Sequence, residues 1–288
     1  MSNEMTATTR YSQAGDEFLF VELNEEMTLE AFFRSISITQ RLREIALPGV
    51  VEICPANASY QVRYNPDMLT AQALQEKLEA LEQEVASQQV RTLETRIIEV
   101  PVLYNDPWTH ETLMRFRDHH QDPNATDLEY AARINGYDSV DAFIKAHSDT
   151  PWFVSMVGFV AGLPFMYQMV PRERQIQVPK YLRPRTDTPK QTVGIGGCFS
   201  VIYSVRGAGG YQMFGVTPMP IYDPADEQPH IDASMIYFRP GDIVKYRAVE
   251  RDEYDTLLAG AEKGQFSPTV TPFTFDLDAF NQDPDGYA

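Results

Sequence analysis

The order in which hydrophobic periodicity changes between residues 18 and 104 constrains this chain most. "FLFVEL" (Phe18 to Leu23) is an apolar run of strand length. Thr28 to Leu47 carries Leu29, Phe32, Phe33, Ile36, Leu42 and Ile45 at helical spacing and stops at Pro48-Gly49, a helix-ending pair. "GVVEIC" and "SYQVRY" flank "PANA", a hairpin signal. Asp67 to Val85 reads as a second amphipathic helix through Leu69, Leu74, Leu78 and Leu81, and "RTLETRIIEVPVLY" (91–104) reads as a strand. Strand, helix, strand, strand, helix, strand is the order of a ferredoxin-like α+β domain, expected at residues 15–100. That fold hosts many functions and names none.

Residues 101–260 have a different texture. A helical insert is expected over 108–147, with Asp127 and Ser139 at N-cap positions. "WFVSMVGFVAGL", "TVGIGGCFSVIYSV" and "GYQMFGVTPMPIY" are rich in β-branched and aromatic residues. "MIYFRPGDIVKYRAV" reads as two strands joined by a type II turn at Arg239-Pro240-Gly241-Asp242. This is enough antiparallel strand to close a β-barrel. Residues 1–14 are expected as a flexible tail without a signal-peptide core. Residues 261–288, with Phe266, Phe273, Phe275 and Phe280, are expected as an extended tail that lies on a partner.

The net charge of −17 opposes binding to nucleic acid or an anionic membrane, because phosphate contacts need a basic face. No apolar run approaches the ~20 residues of a membrane span. Cys54 and Cys198 are far apart in apolar sequence and are expected as reduced, buried thiols of a cytoplasmic protein. There is no P-loop, no G-x-S-x-G and no H-E-x-x-H. Gly194-Ile195-Gly196-Gly197 lacks dinucleotide spacing and reads as a strand that lets a backbone or ligand come close. His119, His120 and Asp122 sit in a polar stretch before Pro123. They read as a solvated helix end, and no metal site is expected. His147 ends a helix, where it fits either a dipole-stabilised cap or a functional site.

"VPKYLRPRTDTPKQTVGIGG" (178–197) concentrates Lys180, Arg183, Arg185 and Lys190, with Arg172 and Arg174 just upstream. Prolines at 171, 179, 184 and 189 keep the stretch out of helix and limit sheet pairing. Long ordered loops of this kind are uncommon without a use. Arginine offers a rigid fork of donors for a carboxylate, a ureido oxygen or an enolate. A surface loop that balances nearby acid fits the same composition.

The run from "VPKYLRPRT" through "TVGIGGCFSVIYSVRGAGGYQMFGVTP", together with "ARING" (132–136), resembles the carboxyltransferase domain of urea carboxylase. "GFVAGLPFM" and "AHS" (146–148) resemble the wider family of allophanate hydrolase subunit 1, the Kip sporulation-kinase inhibitor and the 5-oxoprolinase B subunit. The resemblance implies that the second domain is a cyclophilin-like antiparallel β-barrel. It also implies half of a machine, completed by a homologous second-half carboxyltransferase subunit. In the carboxylase version a biotin carboxylase and a biotin carrier protein are the remaining partners. The cofactor is then biotin, arriving as carboxybiotin on a partner domain, and a carboxyl group passes to a substrate nitrogen. The alternative is the B subunit of an ATP-dependent 5-oxoprolinase-like amidohydrolase, or a Kip-type histidine-kinase inhibitor. Matching positions make Arg185, Lys180 and His147 the catalytic candidates and Asn135, Tyr181, Lys190 and Gln212 the substrate- or biotin-binding ones. Lys190 departs from the glutamate usual in urea carboxylases, which reverses the local charge. The expected substrate is therefore open among urea, another small amide or amidine, and a lactam.

Overall fold

The computed structural model describes residues 9–88, 91–284 and 286. They divide into two compact units, residues up to 93 with 275–281, and 94–274 with the residues from 282 onward.

In the first unit, β1 (Arg10–Gln13), β2 (Phe18–Glu22), α1 (Leu29–Ile45), β3 (Val50–Pro55), β4 (Ser59–Tyr64) and α2 (Ala71–Gln88) follow in order. The sheet runs β1-β2-β4-β3, antiparallel throughout. Alternation decides which face is inside. Leu19 and Val21 of β2 and Tyr60, Val62 and Tyr64 of β4 pack with Ile38, Leu42, Leu74, Leu78 and Leu81 of the two helices. The Thr28 hydroxyl accepts from Ala31 N–H and caps α1.

Three expectations change here. Residues 10–13, expected in the tail, form an edge strand on β2; residues 1–8 of that expected tail lie outside the described residues. The closing strand of the ferredoxin-like pattern, β5 (Thr92–Tyr104), pairs in the other unit instead, so β1 takes the position beside β2. Cys54 is exposed rather than buried, because β3 is an edge strand that turns alternate residues outward.

After β5 come α3 (Pro107–Arg115), α4 (Asp127–Ile134) and α5 (Val140–Asp149). They are followed by β6 (Trp152–Val157), β7 (Pro164–Gln168), β8 (Arg185–Thr188), β9 (Thr192–Gly196) and β10 (Phe199–Ile202). The chain continues through β11 (Gly207–Gly209), β12 (Gln212–Val216), β13 (Ile243–Ala248), α6 (Arg251–Ala261), β14 (Thr269–Asp276) and α7 (Leu277–Gln282). The large sheet runs β12-β9-β10-β7-β6-β13-β5-β14, and β5 also pairs with β12, so seven strands close into a ring. It is mixed rather than purely antiparallel, because β13 runs parallel to β5. Ile98, Val100, Trp152, Val154, Ile195, Phe214 and Val244 fill its core with Phe143 and Leu128 from the helices.

Gly194 shows why glycine stands in "TVGIGG": a Cβ there would run into the Gln212 carbonyl oxygen on β12. The expected turn at 239–242 is present, with Gly241 at φ +103° and Asp242 N–H donating to Arg239 O at 3.1 Å. Its first arm, however, makes only a single bridge, Ile236 to Tyr222. Residues 269–282, expected within an extended tail, are folded as β14 and α7. Residues 269–276 form a strand, Phe266, Phe275 and Phe280 are buried, and Phe275 packs on Phe33 and Phe280. Those aromatic surfaces are spent on their own chain.

Candidate functional site

The loop between β7 and β8 is held by scattered bonds and not by a ladder. Val178 bridges Gly197, Tyr181 N–H donates to Gly210 O at 2.7 Å, and Leu182 N–H donates to His119 O at 2.9 Å. The loop then enters β8, which pairs only with the three-residue β11, forming a ribbon outside the ring. Asp187 pins this ribbon, accepting from Arg115 at 2.7 Å and from Arg206 at 2.6 and 2.7 Å.

Of the four cations of the 178–197 stretch, Lys180, Arg183, Arg185 and Lys190, one is buried. Arg185 is 0 % exposed, with its Nε 3.2 Å from Thr188 Oγ1 and its guanidinium over the Tyr181 ring at 4.4 Å. Nη1 and Nη2 are buried and make no hydrogen bond of good geometry; the groups that face the guanidinium are the Tyr181 and Tyr203 phenols, with no carboxylate among them. Tyr181 donates to Asp127 Oδ1 at 2.7 Å, and Asp127 Oδ2 accepts from Met213 N–H at 2.6 Å. Burial and the Asp127 carboxylate hold the Tyr181 phenol well above its ordinary range, against the pull of Arg185. Burial likewise raises Tyr203, again opposed by Arg185. Both phenols stay protonated at neutral pH.

Gln212 belongs to the same cluster. Its Oε1 lies 2.8 Å from His120 Nε2, and its Nε2 donates to Gln121 Oε1 at 2.9 Å and Pro179 O at 3.0 Å. His120 Nδ1 lies 2.9 Å from Asp122 N–H and 2.8 Å from Asp122 O, and Nε2 faces Gln212 and the Asp127 carboxylate 3.4 Å away. His120 is thus a buried member of the cluster and not part of a solvated helix end. Asp127 is not the N-cap of α4; Thr126 caps it in a capping box with Glu129. That releases the Asp127 carboxylate to the cluster.

The other candidates lie apart from this cluster. Lys180 is exposed, its ammonium 5.2 Å from the Tyr211 ring centroid, and Lys190 is exposed in the turn before β9. Asn135 ends α4 and spends its amide on backbone, donating to Ala131 O and Gln177 O and accepting from Gln177 N–H. His147 is fully buried among aromatics: its ring stacks on Tyr246 at 4.7 Å, and Nδ1 lies 2.8 Å from the Tyr104 hydroxyl. Burial lowers its pKa to about 3, so it is neutral and gives no cationic cap to α5. Among the described residues no group of three or more His, Cys, Asp or Glu is arranged to hold a metal, and no helix is long and apolar enough to cross a membrane.

A family model described as the carboxyltransferase domain, subdomain C and D, matches residues 9–231. The chain belongs to this carboxyltransferase family. Relatives of two kinds align with it. It is 27% identical over 260 residues to the 5-oxoprolinase B subunit of Bacillus subtilis, covering 87% of this chain and 97% of that one. It is 26% identical over 280 residues to urea amidolyase of Lachancea kluyveri, covering 95% of this chain but only 15% of the relative. The crystal structure of K. lactis urea amidolyase shares the fold, with a TM-score of 0.83 and 24% identity over 99% of this chain and 18% of that one. In this carboxyltransferase-family chain, the matched residues include the whole cluster around Arg185, Tyr181, Asp127, His120 and Gln212.

Proposed function

We propose that the chain is the B subunit of an ATP-dependent 5-oxoprolinase-type amidohydrolase, a cytoplasmic hetero-oligomer that opens a small lactam. The near whole-length match to the 5-oxoprolinase B subunit supports this reading. Hydrolysis of a lactam builds negative charge on its carbonyl oxygen, and preorganised donors in a water-poor site are what stabilise such charge. The Arg185 guanidinium, fixed by the Tyr181 face and Thr188, is the buried cation of that site and holds the substrate in it. Gln212 holds the Pro179 carbonyl and so the start of the loop that carries Tyr181. Lys180 stands at the rim over Tyr211. A homologous second-half subunit completes the site, and the ATP-using step belongs to partners.

A second reading, the carboxyltransferase component of a biotin-dependent urea or amide carboxylase, is supported by the alignment of nearly all of the chain with urea amidolyase. Biotin on a carrier would then supply the carboxyl group, and the unpaired Arg185 nitrogens fit an electron-rich ureido oxygen. Both readings ask this chain for the same thing, a dry cationic fork.

Reconstitution with candidate partner subunits separates them. The first reading expects glutamate released from 5-oxoproline, dependent on ATP and on this chain. Carboxylation of an amide that requires bicarbonate and a biotin carrier, without 5-oxoproline turnover, would move the assignment to the second. Neither activity in a stable complex would contradict both.

A further inference from the structure

Among the described residues, two arginines lie within 5 Å of a tyrosine ring centroid, and they are completed differently. Arg96 lies over the Tyr237 ring at 4.8 Å, and Asp242 takes its Nε and Nη2 at 2.9 Å each. Arg185 lies over Tyr181 at 4.4 Å, more deeply buried, with no acid. The nearby carboxylates are committed: Asp127 to Tyr181 and Met213 N–H, and Asp187 to Arg115 and Arg206. A buried guanidinium that faces neutral phenols and no anion is costly to hold. A fold that keeps one between two protonated phenols has kept it for an anion brought from outside.

We infer that the Arg185 guanidinium is the receptor for a carboxylate group of a small acid, held end-on by Nη1 and Nη2 rather than by the Nε–Nη2 side that Asp242 takes on Arg96. Charge and geometry choose the anion. The two Nη groups match the two oxygens of a planar carboxylate. A phosphate dianion calls for further cations or a run of backbone N–H groups, and Lys180 is turned onto Tyr211. Entry needs movement, since the nitrogens are fully covered. That movement falls to the ribbon beside them, because β8 is paired only with Gly207–Gly209, in an interrupted register outside the ring, and the Asp187 pairs that pin it are with exposed arginines that can exchange for water. The choice of 5-oxoproline as the acid rests on the oxoprolinase reading; the carboxylate site itself does not.

The test is calorimetric titration of the full chain, Arg185→Met and Arg185→Lys, with 5-oxoproline, acetate, inorganic phosphate and the neutral lactam 2-pyrrolidinone. Both carboxylates should bind the unmodified chain and bind the variants at least about tenfold more weakly, as loss of a charge-assisted forked pair predicts. Phosphate and 2-pyrrolidinone should not distinguish the unmodified chain from the variants. The lysine variant, which keeps the charge and loses the fork, carries the comparison if the methionine variant does not fold. Acetate binding lost in the variants, without any preference for 5-oxoproline, upholds the site and counts against the oxoprolinase reading. Equal carboxylate binding by all three proteins, or none by the unmodified chain at millimolar concentration, overturns the inference.

Discussion

The Tyr181 side chain joins two opposite charges: its ring lies 4.4 Å from the Arg185 guanidinium carbon, and its hydroxyl lies 2.7 Å from the Asp127 carboxylate. The phenol keeps the buried acid and the buried base apart while touching both. Had Asp127 met Arg185 directly, the fork would be neutralised. The arrangement therefore maintains a cation that is available to a ligand.

Removing the hydroxyl alone tests that spacer. Tyr181→Phe keeps the ring under Arg185 and leaves a buried carboxylate with one fewer donor. Hydrogen bonds to charged groups contribute about 1.5–3 kcal/mol, so urea unfolding at pH 7 should show a loss near the middle of that range. An unchanged midpoint would mean that the Asp127 contact contributes nothing to stability.

Arg96 supplies the comparison for a guanidinium whose acid is built in. Arg96→Met strands Asp242, whose side chain is only 6% exposed. Breaking a buried pair from one side costs about 3–5 kcal/mol. The partial exposure of Arg96 argues for the lower end, and denaturant titration measures it.

His147 predicts a pH dependence. Its pKa is about 3 in the fold and about 6.5 in the unfolded chain. Between those values the unfolded chain binds the extra proton, so stability rises with pH. The contribution is full above about pH 6.5 and is lost as pH falls toward 3. At pH 5 it should already be lower by roughly 2 kcal/mol. Urea titrations at pH 7 and pH 5 should show a steeper loss in the unmodified chain than in His147→Gln. Equal losses would mean that the ring takes up its proton in place.

These residues also mark what could be read from the sequence. The alternation that buries Leu19, Val21, Tyr60 and Val62 was visible, because period-2 burial is written locally. The strand at Arg10–Gln13 was not, since a polar edge strand has no apolar signal. β5 was legible as a strand, but its choice of sheet rests on pairing with β13, far along the chain. The cationic loop stood out, yet nothing local says that Arg185 alone among its four cations is buried. His120 looked solvated in a window of charged residues; its partner Gln212 is 92 positions away. For Asp127 a usable signal was present: Thr126 to Glu129 is the spacing of a capping box, which takes the cap from Asp127 and leaves its carboxylate to be explained.

Backbone contact makes a paired prediction about glycines. Gly194→Ala forces a methyl against the Gln212 carbonyl where β9 meets β12. Overpacking of this kind typically costs about 1–3 kcal/mol, and more where backbone must yield. Gly260→Ala on α6 meets nothing within 4 Å and should instead stabilise by about 0.4–1 kcal/mol. Chemical denaturation of the two variants should move in opposite directions. A tolerated Gly194→Ala would mean that the two strands separate readily.

The most direct test of the account is Arg185→Met, read by turnover and melting together in the reconstituted complex. An uncompensated buried cation is a burden on the fold, and a well-packed apolar replacement is often neutral or stabilising. For 5-oxoproline, kcat/KM should fall at least about tenfold, as loss of a charge-assisted forked pair predicts, while the melting temperature of the chain holds or rises. Near-normal turnover, or a melting temperature that drops sharply, would contradict it.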